Sequence, residues 1–331
     1  MLKEIRLSNF KIFGGTHTII LSSDVEKPFT VLSSNTTASG KTTVRAAILW
    51  CLGEDSLWQD SCHLLNIEVA NKLNPSEKAS TSVELVFEIE GNLFYFRREL
   101  YFIKKYDNIS MVDEKYYING INYNRSKYKN KIDEVLPFGR FLFTISDVRY
   151  ELKETYILLR KELSKLIQEK EFSRFIPADE IINRFFEKIV IRANEIVSTI
   201  CLRYEEVKIV RSESSGFDVL IYKDNHSYEY SKMIGVIINV SIILATYNVL
   251  TSHTETEGMI PVVFDDMFMC IDPRRFSIND LYKALNSVQT IFLVRQMSIE
   301  TVSDEVKNKI DKLYLMTPNN NHTNVEVNEV Y

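Results

Sequence analysis

Along the first thirty positions apolar and polar residues alternate as strands do, in Leu2-Lys3-Glu4-Ile5-Arg6-Leu7, His17-Thr18-Ile19-Ile20-Leu21 and Phe29-Thr30-Val31-Leu32. Gly14-Gly15 reads as the turn of an N-terminal β-hairpin. The pattern changes at Val44-Arg45-Ala46-Ala47-Ile48-Leu49-Trp50-Cys51-Leu52, a helical run that starts near Thr42. Beyond the polar segment Asn74–Lys78, the runs 82–89 and 93–102 flank Gly91-Asn92 and predict an antiparallel hairpin. A further pair is predicted at 115–118 and 121–123 around Asn119-Gly120. The first third thus reads as a β-rich lobe wrapped round one helix.

From Asp147 to Lys170, Leu152, Tyr156, Leu159, Leu163, Leu166 and Ile167 recur at three- and four-residue spacing, one stripe of a helix that Pro177 ends. A second helix is predicted from Asp179 through Phe185, Phe186 and Ile196 to about Tyr204. The two stripes fit core packing of a short helical hairpin or a self-association seam, and are too short for a long coiled coil. The last third returns to strands at 207–210 and 217–222, a long apolar helix from Met233 to Leu250, the run 259–266, a helical segment from Ser277 to Ser287 and the strand 290–294. This alternation predicts a parallel, buried sheet. The tail from Thr317, with Pro318-Asn319-Asn320-Asn321, is polar and expected to fray.

Composition adds bounds. The 331 residues, 45% hydrophobic and 26% charged, suffice for one large core or two modest ones. Forty basic against 45 acidic residues give a net charge of −5, so contact with DNA would rest on a local patch. The cysteines, Cys51, Cys62, Cys201 and Cys270, show no C-x-x-C spacing; they read as reduced thiols and place the chain in the cytoplasm. No leader is expected, because no charged segment followed by an apolar run opens the chain, and no membrane span, because the apolar run Val236–Val249 is broken by Asn239, Ser241, Thr246 and Asn248.

The candidate chemistry centres on Asn35-Thr36-Thr37-Ala38-Ser39-Gly40-Lys41-Thr42-Thr43, between the strand ending at Leu32 and the helix. A strand, a tight loop and a helix in that order form a phosphate cradle. Backbone N–H groups and the helix N-terminus face the phosphates, the lysine reaches the β/γ oxygens, and the following hydroxyl holds Mg²⁺. The G-x-x-x-x-G-K-[ST] pattern has its first glycine replaced by Asn35, and Ala38 stands where a more glycine-rich loop has another. Asparagine tolerates positive φ better than other non-glycine residues, so the turn is expected to survive there. Taken alone, Gly40-Lys41-Thr42 also fits an ordinary strand-to-helix loop.

A second signal lies at Pro261-Val262-Val263-Phe264-Asp265-Asp266, an apolar strand ending in two acids with Asp272 six positions on. A carboxylate at a strand terminus can hold Mg²⁺ while its neighbour polarises water. A strand capped by solvated charges is the alternative for this run alone.

Together the two halves resemble the head of the SMC/RecF-like branch of ABC ATPases, whose N-terminal and C-terminal halves are separated by a coiled coil. They are most similar to DndD-type proteins, in Leu7-Ser8-Asn9-Phe10-Lys11, in 40–43, in 47–52, in 82–102 and in Phe138-Gly139-Arg140-Phe141-Leu142-Phe143, which falls where that family has its Q-loop. The family's D-E-P-x-x-x-L-D run aligns with 265–272. The resemblance implies an α/β fold, an ABC-type ATPase head with a mixed sheet, a P-loop helix, an antiparallel β subdomain and a short helical insertion. It divides the chain into an N-terminal lobe, 1–146, the insertion, 147–204, a C-terminal lobe, 205–316, and the tail, 317–331. It implies ATP and Mg²⁺ as cofactors, bound through Asn35, Ala38, Ser39, Gly40, Lys41, Thr42, Thr43, Ser231 and Asp272, with Thr42 and Asp265 on the metal and Asp266 acting on water. It also implies a homodimer, or a complex with other repair or defence subunits, with DNA as a possible ligand.

The sequence departs from the family at several of these points. The signature L-S-x-G-E corresponds to Tyr230-Ser231-Lys232-Met233-Ile234, the switch histidine to Arg295-Gln296, and the catalytic glutamate to Asp266, and the Q-loop glutamine is not evident in 144–147. Slow hydrolysis, or a scaffold that binds a partner without turnover, follows as the expectation. Other chemistries lack a pattern. His17, His63, His226 and His253 are dispersed, without metal-ligand spacing, and no G-x-S-x-G occurs. Basic and aromatic residues interleave at Arg97-Arg98, Lys104-Lys105-Tyr106 and 123–131, which fits either a phosphate-backbone contact or a solvated face.

Overall fold

The computed structural model describes residues 1–36, 38–54, 61–106, 108–136, 143, 177–200, 206–212, 216–223, 226–227, 232–251, 261–265, 278–285, 288–295, 303–319, 321 and 323–330, with scattered positions between 153 and 164. The chain forms two compact units. The first comprises Met1–Phe143, Gly258–Asp266 and Ser287–Tyr331, and the second Thr144–Glu257 and Met267–Asn286.

The first unit contains two sheets. One is antiparallel and six-stranded, in the order β2-β1-β4-β5-β6-β7, from β1 (Leu2–Phe10), β2 (Phe13–Ile20), β4 (Lys78–Ile89), β5 (Asn92–Lys105), β6 (Asn108–Ile118) and β7 (Ile121–Tyr123). Two of its hairpins turn at or within one residue of the predicted places, Asn119-Gly120 as expected and Glu90-Gly91 one residue before the expected Gly91-Asn92. Glu90 and Gly91 (φ 50° and 76°), then Asn119 and Gly120 (φ 51° and 78°), take the paired left-handed conformations of a two-residue β-turn. The first hairpin differs from expectation, because its turn is Lys11-Ile12 and Gly14-Gly15 lies inside β2. Ser8 pairs with Thr16 but Phe10 with Phe13, so the two glycines supply the extra residue of a β-bulge. Asn9 holds it, its Oδ1 accepting from Gly15 N at 2.9 Å.

The other sheet runs β11-β12-β3-β13-β14, from β3 (Phe29–Ser34), β11 (Val262–Asp265), β12 (Thr290–Arg295), β13 (Ile310–Pro318) and β14 (Val325–Glu329). The first four are parallel and β14 is antiparallel to β13. The strands β3 and β11 are buried throughout and β12 up to Arg295, as parallel strands covered on both faces must be. The tail expected to fray is instead the edge hairpin β13–β14. Val325 and Met316 are buried, and Asn324 accepts from Gly14 N at 2.8 Å, so polar side chains at the turn are used as hydrogen-bonding groups rather than left to water. Gln289 ties the two sheets, accepting from Leu2 N (3.0 Å) and donating to Leu2 O and Ser22 O (both 2.6 Å).

Helix α1 (Lys41–Cys51) packs against strands of both sheets, which is why nine of its eleven residues are buried and it shows only a weak polar face. Helices α2 (Ile67–Lys72) and α3 (Arg125–Val135) are capped by Asn66 and Asn124, whose side chains accept from N–H groups of the first turn.

The second unit contains α4 (Ala178–Ile200), the sheet β8 (Glu206–Ser212), β9 (Gly216–Lys223) and β10 (His226–Ser227), α5 (Lys232–Thr251) and α6 (Ile278–Ala284). The stripe Ile182, Phe186, Ile189, Ala193, Ile196 and Ile200 of α4 is buried, and α4 packs on α5 and β8, which favours core packing over an open association seam. Tyr156, Phe186 and Phe217 form an aromatic cluster with centroids 4.8 to 5.5 Å apart. Gly216 (φ 86°) makes room for it, since a Cβ there would lie 2.0 Å from the Tyr156 ring. The predicted helix 147–170 lies largely outside the described residues. Among the described residues no helix is long and apolar enough to cross a membrane.

Candidate nucleotide site

The loop leaves the C-terminal end of β3 and turns into α1. Ser34 Oγ accepts from Thr36 N at 3.2 Å and lies 3.4 Å from Thr36 Oγ1, starting the turn. Gly40 is the N-cap of α1 in the left-handed conformation (φ 87°), and a Cβ there would meet Ile12, Phe13 and Met316 at 3.0 to 3.4 Å. Ala38 also has positive φ (57°), so the second missing glycine falls where the backbone needs one. Asn35 is an exposed residue outside the left-handed region, contrary to the expectation that it would take positive φ.

Lys41 is 6% exposed, and its ammonium donates to Ser39 Oγ (3.0 Å) and Thr36 O (3.3 Å), so the side chain lies back across its own loop. Ser39 is buried, Thr42 exposed and Thr43 half-buried. The first N–H groups of α1 have no intrahelical acceptor, and together with the helix dipole they make an anion-favouring surface beside Lys41.

Asp265 ends β11 and is 7% exposed. It pairs in parallel register with Leu293, and Leu293 with Leu32, which places it level with the end of β3, at the sheet edge from which the loop departs. In parallel sheets that carboxyl edge is where ligands sit. The fold therefore brings Asn35, Ala38, Ser39, Gly40, Lys41, Thr42, Thr43 and Asp265 to one edge of one unit. Asp266, Ser231 and Asp272 lie outside the described residues, as does the Q-loop segment apart from the buried Phe143. Lys41, Thr42 and Asp265 present an ammonium, a hydroxyl and a carboxylate, the donor set for a magnesium-bound phosphate chain, with hard oxygen ligands for the metal.

A family model described as an AAA domain matches residues 4–234, well over half of the chain. The chain belongs to the AAA-domain family. No match is found among functionally curated proteins. Solved structures show the fold. An SMC head bound to the C-terminal winged-helix domain of ScpA superposes with TM-score 0.67 at 16% identity, covering 99% of this chain and 98% of that one. An SMC head domain with an extended coiled coil, bound to the C-terminal domain of ScpA derived from Pyrococcus furiosus, gives 0.62 at 16%, covering 99% and 96%. The SMC head domain from Thermotoga maritima gives 0.55 at 18%, covering 100% and 99%. The fold of this AAA-domain protein is that of an SMC-like ATPase head.

Sequence reading missed the clamp at the far end of α1. Arg98 is 4% exposed, donates to Trp50 O at 2.9 Å, pairs with Glu114 at 2.6 Å and lies between the rings of Trp50 and Tyr116, 4.4 and 5.3 Å from their centroids. Tyr128 donates to Cys51 O at 2.8 Å. A guanidinium at a helix C-terminus opposes the negative end of the dipole. The available signal was periodicity, because residue 98 falls on the inward face with Phe96, Leu100 and Phe102. Burial pushes the Cys51 thiol up to about 12, so it is an inert core group. The neighbouring basic residues are interleaved with acids. Arg97 pairs with Glu99, Lys115 lies 3.7 Å from Asp113, and Lys131 pairs with Glu134.

The left-handed Ala38 gives a first prediction. Ala38→Gly removes a conformational cost of about 1 kcal/mol but loosens the unfolded chain by a similar amount, so stability changes by less than about 1 kcal/mol. Ala38→Val places a β-branched residue at positive φ and lowers stability by about 2 kcal/mol. Urea denaturation of the two variants checks this, and equal losses for both would contradict the assigned conformation.

Proposed function

We propose that this AAA-domain protein is an ATP-binding head subunit of the SMC/RecF-like type, closest in character to DndD-type proteins, that binds ATP with Mg²⁺. Lys41 holds the β/γ-phosphates, Thr42 and Asp265 hold Mg²⁺, and Asp266 orients the attacking water. The observation that carries the reading is the meeting of Lys41 and Asp265 at one carboxyl edge of a parallel sheet. Lys41 would exchange its contacts with Thr36 and Ser39 for phosphate oxygens. Magnesium neutralises the β- and γ-oxygens when bound, and the chain's own residues position the nucleotide. Ser231 and Asp272 would complete the site in a nucleotide-dependent dimer, acting in DNA repair or antiviral defence in the cytoplasm as a homodimer or with partner subunits. DNA is a candidate ligand.

Hydrolysis is slow in this reading, because Met233 and Ile234 stand where a glycine and an acid would let backbone approach the phosphate, and Asp266 is one methylene shorter than glutamate. The same residues favour a second reading, a scaffold that binds nucleotide or a partner without turnover. A steady-state ATPase assay with and without DNA, beside native mass measurement with ATP, separates the two. Slow turnover lowered at least about tenfold by Asp266→Asn, with an ATP-dependent dimer, supports the first. A nucleotide-bound species with no turnover supports the second.

A further inference from the structure

We infer that the buried Asn66 amide is a positioning residue for the phosphate cradle, fixing the wall behind the N-cap of α1 and coupling the cradle to the turn of the β13–β14 hairpin; this rests on the nucleotide reading above. Asn66 is fully buried, and its side chain uses every hydrogen-bonding valence it has. Its Oδ1 accepts from Glu68 N (3.0 Å) and Val69 N (3.2 Å), which caps α2. Its Nδ2 donates to Lys11 O (2.7 Å) and Thr323 O (3.0 Å), carbonyls of two segments far apart in sequence. A helix cap needs only an acceptor, which serine, threonine or aspartate supply as well. The two donors are surplus to capping, and they join the β1–β2 turn to the β13–β14 hairpin.

Those two segments enclose Gly40. A Cβ there would meet Ile12 and Phe13, at the β1–β2 turn, at 3.0 and 3.2 Å and Met316 of β13 at 3.4 Å, so the wall behind the N-cap stands at van der Waals contact. Phe13 and Met316 are themselves buried. The left-handed Gly40 aims the first N–H groups of α1, the donors that a phosphate chain uses, and Lys41 follows it directly. A close-packed wall has no slack, so a shift of the Lys11-Ile12 turn passes to those donors.

The surroundings of Asn66 are tied on both sides. Lys11 N donates to Leu64 O (2.7 Å) and Asn66 N to Asn9 O (2.8 Å), which fastens the chain before α2 along the end of β1. On the hairpin side, Thr323 Oγ1 and Asn319 Nδ2 donate to Glu68 Oε1 at 2.5 and 2.7 Å, and Asn324 Oδ1 accepts from Gly14 N. The hairpin turn, α2 and the β1–β2 turn are thus one hydrogen-bonded cluster with Asn66 at its centre. Removing the amide takes the donor from two carbonyls and loosens both segments at once. Coupling of this kind is reciprocal: a ligand that steadies the cradle steadies the hairpin turn, and a hairpin held in place favours the ligand.

The test is equilibrium titration of the purified full chain with Mg-ATP, together with amide hydrogen exchange with and without Mg-ATP, for the unmodified protein, Asn66→Ser, Asn324→Ala and Asn124→Ala. Asn66→Ser keeps an acceptor for the α2 cap and loses both donors, Asn324→Ala frees the hairpin from Gly14, and Asn124→Ala removes a comparable cap from α3. In the unmodified protein Mg-ATP is expected to slow exchange both in the first turn of α1 and in 317–325. Asn66→Ser weakens ATP binding at least about fivefold and abolishes the slowing in 317–325, whereas Asn124→Ala lowers the melting temperature but keeps affinity within about twofold and the slowing intact. Asn324→Ala also loses the slowing, with the α2 cap in place. ATP protection confined to α1 in the unmodified protein, unchanged affinity in Asn66→Ser, or an equal loss in Asn124→Ala would overturn the inference while leaving the nucleotide site intact. Should Asn66→Ser fail to fold, the unmodified protein and Asn324→Ala still decide it. Unmodified protein that binds no Mg-ATP would overturn the nucleotide reading itself.

Discussion

Replacing Lys41 with alanine removes half or more of the stabilisation that Mg-ATP confers on the folded protein. A ligand that binds only the native state stabilises it by about 2.7 kcal/mol at a hundred times its dissociation constant. Lys41 is the cation at the mouth of α1, and its ammonium is held by two oxygens of its own loop at 3.0 and 3.3 Å, contacts that phosphate oxygens can replace. Losing a charge-assisted contact of about 1.5–3 kcal/mol weakens ATP binding by about 10- to 150-fold. At that ATP concentration the variant then keeps about 0.3–1.4 kcal/mol of the stabilisation, and its melting temperature shifts by about half as much or less. Melting of Lys41→Ala without nucleotide is measured alongside, so that the loss of the buried Lys41 side chain itself is separated from the loss of the ligand-induced shift. If ATP shifted the melting of both proteins equally, Lys41 would have no part in the site.

Replacing Arg98 with methionine lowers the stability of the unit that carries the site by about 3 kcal/mol, the lower end of the range for breaking a buried charge pair, because Glu114 keeps some access to water. The change leaves the Trp50 carbonyl without its guanidinium donor, removes the cation from between two rings and strands the Glu114 carboxylate. For a unit of this size it corresponds to about 6–12 °C in melting temperature, readable by calorimetry. Arg98→Lys recovers only part, since an ammonium cannot reach Trp50 O and Glu114 with the same fork. The effect reaches function because α1 is anchored at one end by Arg98 and Tyr128 and presents the phosphate cradle at the other. Melting unchanged within about 1 kcal/mol would mean that the clamp is not a stabilising contact.

Sequence periodicity carried those parts of the fold whose physics is local. Asn119-Gly120 marks its turn because only residues that tolerate positive φ close a two-residue hairpin, and Gly40 marks the helix start for a related reason. The parallel sheet was legible in Val262–Phe264 and Ile291–Val294, unbroken apolar runs that only a doubly covered strand requires. What escaped reading depended on partners far along the chain. Gly14-Gly15 forms a bulge rather than a turn because Asn9 and Asn324 fasten it. The polar tail becomes β14 because β13 offers it an edge, and nothing within Val325–Glu329 records that neighbour. At the site, Lys41, Thr42 and Asp265 were readable from motif and strand pattern, since each needs a residue type at a fixed place relative to a strand end. Ala38 carries the left-handed strain expected of Asn35, a reminder that a missing glycine in a motif does not say which backbone torsion has been kept. Arg98 draws its role from register, which appears only once the strands are ordered.

The central claim is that the carboxyl edge between β3 and β11 is a site for magnesium-bound ATP. Isothermal titration of the unmodified protein with ATP, with and without Mg²⁺, tests it most directly. Saturable binding is expected at a ratio of one nucleotide per chain, with a dissociation constant below about 1 mM, strengthened by Mg²⁺ and weakened by Asp265→Asn. No heat of binding at millimolar ATP with Mg²⁺, or binding indifferent to both Lys41→Ala and Asp265→Asn, would contradict it.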